Sequence, residues 1–464
     1  MSLAPPNQDV KGAPAPGLAG RLPGPGPLLV GVSGGADSVA CARLLALRAS
    51  QLQWQVVLGH VDHQLRPDSH LDAEFTRELA AGLGLGFKLT RVDCRTAGDS
   101  PEAAARAARR QALRAMAHEI GAGAIALAHT ADDQAETILG RALTGTGLTG
   151  LAGMRVWRGI WWRPLLFCRR QQLRAWLESL GQPWREDPSN QDQGPLRNRL
   201  RLSLLPLAEE LINPRVVEAL GRLAELAGAE EDFWRHWCAQ RAAAGFKRQG
   251  TSLLMTSAVL RDLHPAQLRR LLRHAAGLVS GGGQHLLADQ LARLVELWQG
   301  RPGRRATLGA GLEAWREPGG LRLDIAGDPP VFSYRLDGPG SLELPHLGLR
   351  LEVGEAKTTE PLAAAGSQAW LPAARVNWPL TVRSPQAGER FHPLGAPGSK
   401  RLSRFFIDRR VPPWWRRRTP VVADAAGTWW VAPWSVAERA RRRGKEALLR
   451  LRLVDTKGGG PYTW

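Results

Sequence analysis

The stretch LLVGVSGGADSVACARLLAL, residues 28–47, joins a strand-like apolar run to a helical pattern through the hexamer SGGADS. Glycines in such a turn let backbone N–H groups approach one anion, and the helix that follows adds its positive end. The loop lacks the lysine of a Walker sequence, and Asp37 stands beside the predicted phosphate. A carboxylate in that position indicates an intervening Mg²⁺. The hexamer therefore predicts an ATP site in which Asp37 binds Mg²⁺ and pyrophosphate is the leaving group. The residues predicted to bind ATP are Ser33, Gly34, Gly35, Ala36, Asp37 and Ser38.

Strand and helix patterns alternate from this loop onward. Strands are predicted at 28–32, 55–63, 87–93 and 124–129, and helices at 38–49, 68–83, 100–120 and 131–143. This alternation predicts an α/β fold with a doubly wound parallel, Rossmann-like sheet. Ligands of such sheets bind beyond the carboxyl ends of the strands, so the hexamer, His60–His63 and His129–Thr130 are expected to share one cleft.

The remaining sequence predicts several domains. Helices are expected at 207–245, 265–279 and 285–299, and short strands at 305–353. The predicted organisation is a disordered tail (1–27), an ATP-binding catalytic domain (28–205), a mainly helical domain with terminal short strands (206–354), a linker (355–369) and a small basic α/β domain (370–464).

Composition narrows the range of functions. A net charge of +19 favours a polyanionic partner such as nucleic acid, unless the arginine excess reflects only the base composition of the gene. No apolar run is long enough to span a membrane, and residues 1–27 lack the apolar core of a signal peptide. The four cysteines are scattered without a C-x-x-C, which predicts a reduced, cytoplasmic protein.

SGGxDS is similar to the loop of the PP-loop ATP pyrophosphatases, and further motifs resemble one family among them, the tRNA(Ile)-lysidine synthetases. The resemblance covers residues 28 to about 435. The similar segments, in chain order, are His60–Arg66, Glu102–Arg110, His129–Thr137, Leu148–Leu151 with Met154, Arg163–Leu166, Glu186–Asn190, Arg197–Asn198 with Arg201, Gly388–Phe391 and Lys400–Pro412.

The resemblance implies a two-step reaction on a CAU-anticodon isoleucine tRNA. ATP adenylates the carbonyl oxygen of the wobble cytosine, and the ε-amine of free L-lysine then displaces AMP to give lysidine. The implied cofactors are ATP and Mg²⁺, and the implied partners are this tRNA and lysine. No membrane partner is implied, and a homodimer is compatible with the sequence.

Residue roles follow from this reaction. Asp133 and Glu136 lie three apart on one helix face and are expected to bind lysine or its amine, close to His129 at the reacting centre. One of Arg106 and Arg109 is expected to meet the ATP phosphates or the transition-state charge; Arg109 is assigned to catalysis and Arg106 to the nucleotide. The other predicted nucleotide contacts are His60 and Asp62.

Simpler roles compete with several of these. Asp132 and, less so, Asp133 could be capping acids at a helix start, and Asp62 and His63 could be supporting residues or contacts to the nucleotide ribose rather than catalysts. Arg197 and Arg201 are predicted to contact tRNA, but could instead anchor a loop. The sequence departs from the family pattern at Arg110, where an aromatic residue is favoured, at Thr144, where many members have arginine, and at 429–434, which lacks a glycine.

A basic segment near the C-terminus is predicted to bind RNA. Its arginines alternate with aromatic residues, a composition that suits phosphate contacts and stacking on unpaired bases. The alternative is a core segment with buried aromatics and a solvated arginine face. The predicted contacts are Lys400, Arg401, Arg404, Arg416, Arg417 and Arg418.

Two other functions compete with lysine ligation. A PP-loop tRNA thiolase would need paired or catalytic cysteines, and no cysteines are paired in this sequence. A catalytically silent RNA-binding protein would not need the intact Asp37, Asp133 and Glu136. ATP-dependent pyrophosphate release would exclude the silent protein.

Overall fold

The structure of the chain is a computed structural model that divides into two compact units, one ending at Phe233 and one beginning at Trp234. It describes residues 17–64, 68–92, 101–186, 194–249, 251–281, 286–309, 311–327, 331–356, 366–444 and 446–456. Within these ranges, no helix is both long and apolar enough to cross a membrane.

The first unit begins with alternating strands and helices. They are β1 (Gly26–Gly31), α1 (Ala36–Ala49), β2 (Trp54–Asp62), α2 (Ser69–Gly82), β3 (Gly86–Arg91), α3 (Pro101–Glu119), β4 (Ala124–Leu127), α4 (Ala131–Thr144), α5 (Leu148–Leu151), β5 (Trp157–Arg158), β6 (Trp161–Trp162) and α6 (Arg170–Ser179). Further helices follow: α7 (Leu196–Arg199), a π-helical turn (Leu200–Leu204), α8 (Leu205–Leu211) and α9 (Val216–Gly245), which continues into the second unit.

The sheet of the first unit has the order β3-β2-β1-β4-β6-β5. All neighbours are parallel except β5 and β6, so the predicted parallel sheet is confirmed as a mixed, mostly parallel one. The antiparallel exception arises because Gly159, at φ 60°, permits a tight turn between Trp157–Arg158 and Trp161–Trp162. The central strand β1 is buried by helices on both faces, which places its carboxyl end inside the fold.

Residues 17–25 differ from the disordered tail predicted for residues 1–27. Three indole N–H groups hold this segment: Trp162 donates to Ala19 O, Trp157 to Arg21 O and Trp54 to Gly24 O. The sequence did not reveal this because the segment itself has little apolar periodicity and the anchoring tryptophans lie up to 143 positions away. Residues 1–16 lie outside the described part of the chain.

The second unit contains a helical layer and an antiparallel sheet, so the prediction of a mainly helical domain was incomplete. Its first elements are β7 (Phe246–Gln249), β8 (Ser252–Thr256), α10 (Ser257–Leu260), α11 (Pro265–Val279), α12 (Ala288–Gln299), β9 (Arg305–Leu308), β10 (Leu312–Glu317) and β11 (Gly320–Ile325). The five strands form a sheet of order β7-β8-β11-β10-β9, with α11 and α12 packed on its apolar side.

The C-terminal region is largely β, not the α/β domain predicted. Its elements are β12 (Ser333–Leu336), β13 (Gly340–Leu344), β14 (Leu349–Glu355), β15 (Gln368–Pro372), β16 (Leu380–Arg383), β17 (Arg390–Phe391), β18 (Lys400–Arg401), α13 (Leu402–Asp408), α14 (Pro413–Arg416), β19 (Val421–Asp424), β20 (Gly427–Val431), β21 (Ser435–Val436) and β22 (Leu448–Asp455). Two antiparallel sheets, β12-β16-β19-β20-β21 and β13-β14-β22-β15, enclose one core.

Strand pairing crosses the predicted boundary between the second and last domains. β14 pairs with β22, from Leu349 with Asp455 to Glu355 with Leu449, and β12 pairs with β16. Residues 331–355 therefore form sheets with the C-terminal region and not with the helical layer. Of the predicted linker at 355–369, residues 357–365 lie outside the described ranges.

Candidate active site

The predicted phosphate loop lies between β1 and α1, inside the first unit. Gly34 has φ +90°, a conformation that residues with a Cβ rarely adopt. Ser38 closes the loop, since its Oγ donates to Gly35 O at 2.8 Å and accepts from Ser33 N at 3.2 Å. Gly35 provides no side-chain cap for α1, so the positive end of this helix faces the loop.

An acidic cluster, which we define as Asp37, Asp133 and Glu136, lies beside this loop and surrounds Arg170. Arg170 Nε lies 3.0 Å from Asp37 Oδ2, and Arg170 Nη2 lies 2.8 Å from Asp133 Oδ1. Arg170 Nη1 lies 3.4 Å from Glu136 Oε1. One guanidinium group therefore bridges the predicted metal ligand and both predicted lysine ligands.

Arg197 is the second cation on the acidic cluster. Its Nε donates to Glu136 Oε2 at 2.7 Å, and its Nη2 donates to Asp133 Oδ1 at 2.9 Å. Arg201, which was also predicted to contact tRNA, lines a cavity together with Arg197. Arg197 is thus an active-site residue in position, and its contact with tRNA stays a prediction.

The start of α4 fixes Asp133. Thr130 is the N-cap residue, and its backbone N donates to Asp133 Oδ2 at 2.8 Å while Asp133 N donates to Thr130 Oγ1 at 3.3 Å. This capping box holds one carboxylate oxygen and leaves Oδ1 for the two arginines. Asp132 instead accepts from Arg169 Nε at 3.3 Å and from Arg170 N at 2.7 Å. Asp133 therefore caps the helix and also belongs to the acidic cluster.

The two carboxylates on Arg170 differ in electrostatics. Burial raises the pKa of the Asp37 carboxyl above its usual range, against the lowering effect of Arg170. Burial also acts to raise the pKa of Asp133, but Arg170 and Arg197 hold it below its usual range. Asp133 is thus firmly anionic, whereas Asp37 is incompletely compensated: its Oδ1 is buried and accepts no hydrogen bond from a described residue.

His129 is a half-buried residue whose imidazole is neutral. Burial lowers the pKa of His129 to about 3, and Arg163 and Arg197 oppose its protonation further while Asp133 favours it. Its Nδ1 is buried without a hydrogen-bond partner among the described residues. A neutral imidazole with an open nitrogen can accept a proton or a hydrogen bond from a ligand.

His60 and Asp62 follow the neighbouring strand as predicted, and both have structural partners. His60 Nδ1 lies 2.9 Å from Val32 O, so it links β2 to the end of β1. Asp62 Oδ1 accepts from Gln64 N at 2.9 Å, which holds the turn after β2. The bond from Gln64 agrees with the supporting role weighed for Asp62; contacts of His60 and Asp62 with the nucleotide stay a prediction.

Two cavities that share lining residues connect these groups. One, of about 320 Å³, borders the phosphate loop and is lined by Asp72, Arg174 and Arg185 among others. The second, of about 400 Å³, extends to His129, Asp133, Glu136 and Trp161. Both are lined by Ser33, Asp37, Ser38, Arg109, Arg170 and Arg201. Phosphates at the loop and a second ligand near His129 would therefore be neighbours.

Arg106, assigned to the nucleotide, and Arg109, assigned to catalysis, both line the larger cavity, and Arg109 also lines the smaller one. Burial, then the proximity of Arg106, lowers the pKa of Arg109. The charged form of an arginine in this setting is stabilised when an anion binds beside it. Arg109 is the better placed of the two for phosphate at the loop.

Sequence reasoning missed Arg170 and Arg163. Arg169 and Arg170 open α6, at a helix N-terminus where cations are unfavourable, and that position was a usable signal. The acids that compensate Arg170 lie 34 to 133 positions away, so no local pattern could identify them. Arg163 belongs to a motif already quoted, and the structure places it in the lining of the larger cavity.

The aromatic residues of the C-terminal basic segment are buried. Phe405, Phe406, Trp414 and Trp415 belong to the core of this region, so the prediction that they stack on unpaired bases is wrong. The segment forms α13 and α14, whose apolar faces pack inward.

The basic residues of that segment differ in exposure and in pairing. Arg418 is mainly internal: its Nη2 lies 2.9 Å from Asp324 Oδ2, and its guanidinium lies 4.3 Å from the Trp414 ring centre. Lys400 and Arg404 pair with Asp408 at 2.9 and 3.1 Å. Arg401 and Arg417 are exposed, and Arg416 is half-buried, with its Nε donating to Val411 O at 3.0 Å. The structure thus shows the alternative arrangement, in which the aromatic residues are buried and exposed arginines form the outer face.

The loop and the mostly parallel sheet are those of a PP-loop ATP-binding domain, whose family profile matches residues 21–208. A second profile, the TilS substrate C-terminal domain, matches residues 380–453. The chain is 35% identical over 415 residues to a tRNA(Ile)-lysidine synthase of Solibacter usitatus (strain Ellin6076), covering 86% of this chain and 92% of the relative. It belongs to the tRNA(Ile)-lysidine synthase family.

Other similarities were found. The chain is 30% identical over 436 residues to a tRNA(Ile)-lysidine synthase of Dehalococcoides mccartyi (strain CBDB1), covering 89% of this chain and 92% of the relative. Among solved structures, a U34-tRNA thiolase from Methanococcus maripaludis matches 44% of this chain and 74% of its own, with 19% identity and a TM-score of 0.38.

Proposed function

We propose that this protein joins free L-lysine to the wobble cytidine of a CAU-anticodon isoleucine tRNA, through an adenylated cytidine, with release of pyrophosphate and AMP. Family membership over most of the chain supports the reaction. The observation that carries the site assignment is the acidic cluster beside the phosphate loop. Its acids already hold two cationic side chains and can exchange one of them for an ammonium group of lysine.

The chain's own residues divide the work as follows. Backbone N–H groups of the loop and the start of α1 bind the β and γ phosphates, and Arg109 stabilises charge on the phosphoryl group being transferred. Asp133 and Glu136 hold the amine of lysine. His129, neutral and with an open Nδ1, lies at the reacting centre and can accept a hydrogen bond or a proton there.

A Mg²⁺ ion fits Asp37. The Oδ1 of this residue is buried without a partner among the described residues, and Mg²⁺ is commonly held by one or two carboxylates together with phosphates. Within the described ranges there is no group of three or more His, Cys, Asp or Glu arranged as a metal site. When bound, Mg²⁺ would neutralise charge on the pyrophosphate.

The cysteines favour ligation over sulfur transfer. Cys41 and Cys168 are buried, and burial raises the pKa of Cys41 and raises that of Cys168 to about 11. Thiols that stay protonated are poor nucleophiles. Cys94 lies outside the described ranges. A homodimer and a cytoplasmic location stay predictions.

Transfer of radiolabelled lysine to a CAU-anticodon isoleucine tRNA transcript tests the function. With Mg²⁺ and ATP we expect label in the RNA, and none without ATP or with Asp37→Ala. Pyrophosphate release without label would mean that adenylation is right and the nucleophile or the tRNA is wrong. Folded wild-type protein that gives neither product would refute the proposal and favour a silent RNA-binding protein.

The exposed and the internal C-terminal arginines are expected to respond differently. Arg401→Ser with Arg417→Ser should weaken tRNA binding several-fold and flatten its salt dependence, because each lost phosphate contact lowers the salt slope by about one. Arg418→Ser should mainly lower the melting temperature, since it leaves the buried Asp324 with one fewer partner. Filter binding across a salt series and thermal melts separate the two effects. An unchanged salt slope in the first variant would refute its RNA role.

A further inference from the structure

Six arginines gather where α3, α4, β5 and β6 approach the larger cavity. We call them the arginine patch: Arg106, Arg110, Arg114, Arg141, Arg158 and Arg163. Three of them, Arg106, Arg110 and Arg163, line the cavity beside His129. The other three are exposed and lie beyond that lining. The patch therefore runs from the candidate active site to the protein surface.

Trp161 supports the centre of the patch. The guanidinium groups of Arg110 and Arg114 lie 5.1 and 5.7 Å from the centre of its ring, which is itself buried. Cation–π contacts of this kind orient arginines without neutralising their charge. Because the ring is buried, Trp161 holds the arginines in place and is not itself a stacking platform for a base.

The arginines of the patch have no carboxylate partner among the described residues. Within the described ranges, none of its members forms an ion pair with a carboxylate; Arg141 donates to Gly150 O at 2.9 Å and Arg163 to Arg155 O at 2.9 Å. This differs from Arg170 and Arg197, which are paired with the acidic cluster. Arg163 is buried, and its Nε has no hydrogen-bond partner among the described residues.

Repulsion among the arginines of the patch also indicates that their charges are uncompensated. Burial, then neighbouring members of the patch, lowers the pKa of Arg110, Arg141 and Arg163, and Arg106 and Arg158 act on all three. Like charges held together without acids are relieved when an anion binds. The patch is therefore poised for an anion that extends beyond the cavity.

We propose that the arginine patch binds the phosphates that flank the target nucleotide of the RNA, while the base of that nucleotide enters the larger cavity. This inference rests on the proposed function. A triphosphate bound at the loop would occupy one end of the cavity, whereas a row of cations continuing to the surface fits successive phosphates of a single strand. Enzymes that modify a base commonly hold the flanking strand while the base is extruded.

Arg110 makes the proposal specific to this chain. It stands where the family pattern favours an aromatic residue, and here it packs on Trp161 and lines the cavity. The additional charge is therefore a property of this sequence and not one transferred from the resemblance.

The test is tRNA binding by Arg114→Gln/Arg158→Gln across a salt series, without ATP or lysine. We expect the dissociation constant for a CAU-anticodon tRNA transcript to rise roughly tenfold or more, and the slope of log K against log salt to fall by about one to two. ATP affinity, measured separately by calorimetry, should be unchanged. Arg114→Lys/Arg158→Lys should keep most of the salt slope, since the charge remains.

Arg48→Gln/Arg77→Gln is the matched control. This variant also loses two positive charges, but Arg48 and Arg77 line neither cavity. Like Arg114, Arg77 lies over an aromatic ring, 5.4 Å from the centre of Phe87. Equal losses in the control, or a weakened ATP affinity with unchanged RNA binding, would overturn the inference. Wild-type protein that binds no tRNA would refute the proposed function as well, whereas normal wild-type binding with an unaffected patch variant would refute the inference alone.

Discussion

Asp133→Asn is expected to reduce lysine transfer by roughly 100-fold or more, the size of effect that loss of a positioned acid–base or charge-stabilising group produces. The substitution keeps an oxygen that can accept from Thr130 N, so the start of α4 should survive. It removes the charge that Arg170 and Arg197 share. Steady-state transfer at several lysine concentrations should show a raised KM for lysine together with a lower kcat.

Asp132→Asn is the matched control for that prediction. Asp132 lies next in sequence and opens the same helix, but its partners are Arg169 Nε and Arg170 N and not the acidic cluster of Asp37, Asp133 and Glu136. We expect lysine transfer by this variant to stay within a few-fold of wild type. If both variants lose activity equally, the start of α4 matters for folding and the assignment of Asp133 to lysine is wrong.

The sequence predicted the phosphate loop and the strands that position it because those signals are local. A strand, a glycine-rich turn and a helix lie within twenty residues, 28–47, and each has its own periodicity. The ends of β2 and β4 were also predictable, since parallel strands bring their carboxyl ends to one edge of the sheet.

The cation at the centre of the site was not predictable in the same way. Arg170 is 133 positions from Asp37 and 37 from Asp133, and nothing adjacent to it in sequence specifies those partners. The same limit applies to β14 and β22, whose pairing joins residues about a hundred positions apart, from Leu349 with Asp455 to Glu355 with Leu449. Periodicity predicts that such strands exist but not which strands pair.

The C-terminal aromatics show a different limit. Arginines interleaved with Phe and Trp are compatible with an RNA-stacking surface and with an amphipathic segment, and the sequence does not distinguish the two. Burial decides it here, since Phe405 and Trp414 are only 1% and 4% exposed. A basic segment with aromatics predicts stacking only where the aromatic rings are not needed for the core.

Arg170→Gln is expected to strengthen lysine binding to the ATP-free protein, by about tenfold, while slowing lysine transfer. Arg170 bridges Asp37, Asp133 and Glu136, the residues where we place the metal and the lysine amine. Lysine must therefore compete with a side chain held in place. One displaced charged contact worth about 1.4 kcal/mol corresponds to a factor of ten in affinity.

ATP should remove this competition in the wild-type protein. Arg170 also lines the cavity at the phosphate loop, so arriving phosphates give its guanidinium a second partner and release the acids for lysine. Lysine affinity of the wild type should rise when a non-hydrolysable ATP analogue with Mg²⁺ is present. Arg170→Gln should lose most of this dependence, because no competitor remains to be withdrawn.

Calorimetric titration of lysine, with and without the analogue, measures both effects. Arg169→Gln is the control, because Arg169 is adjacent to Arg170 in the sequence. Arg169 pairs with Asp132, Glu209 and Glu218 and not with the acidic cluster. It should keep the wild-type dependence on the analogue. A folded Arg170→Gln that binds lysine more weakly under both conditions would contradict this prediction. Arg170 would then support the lysine site instead of competing for it, and ATP would not need to bind before lysine.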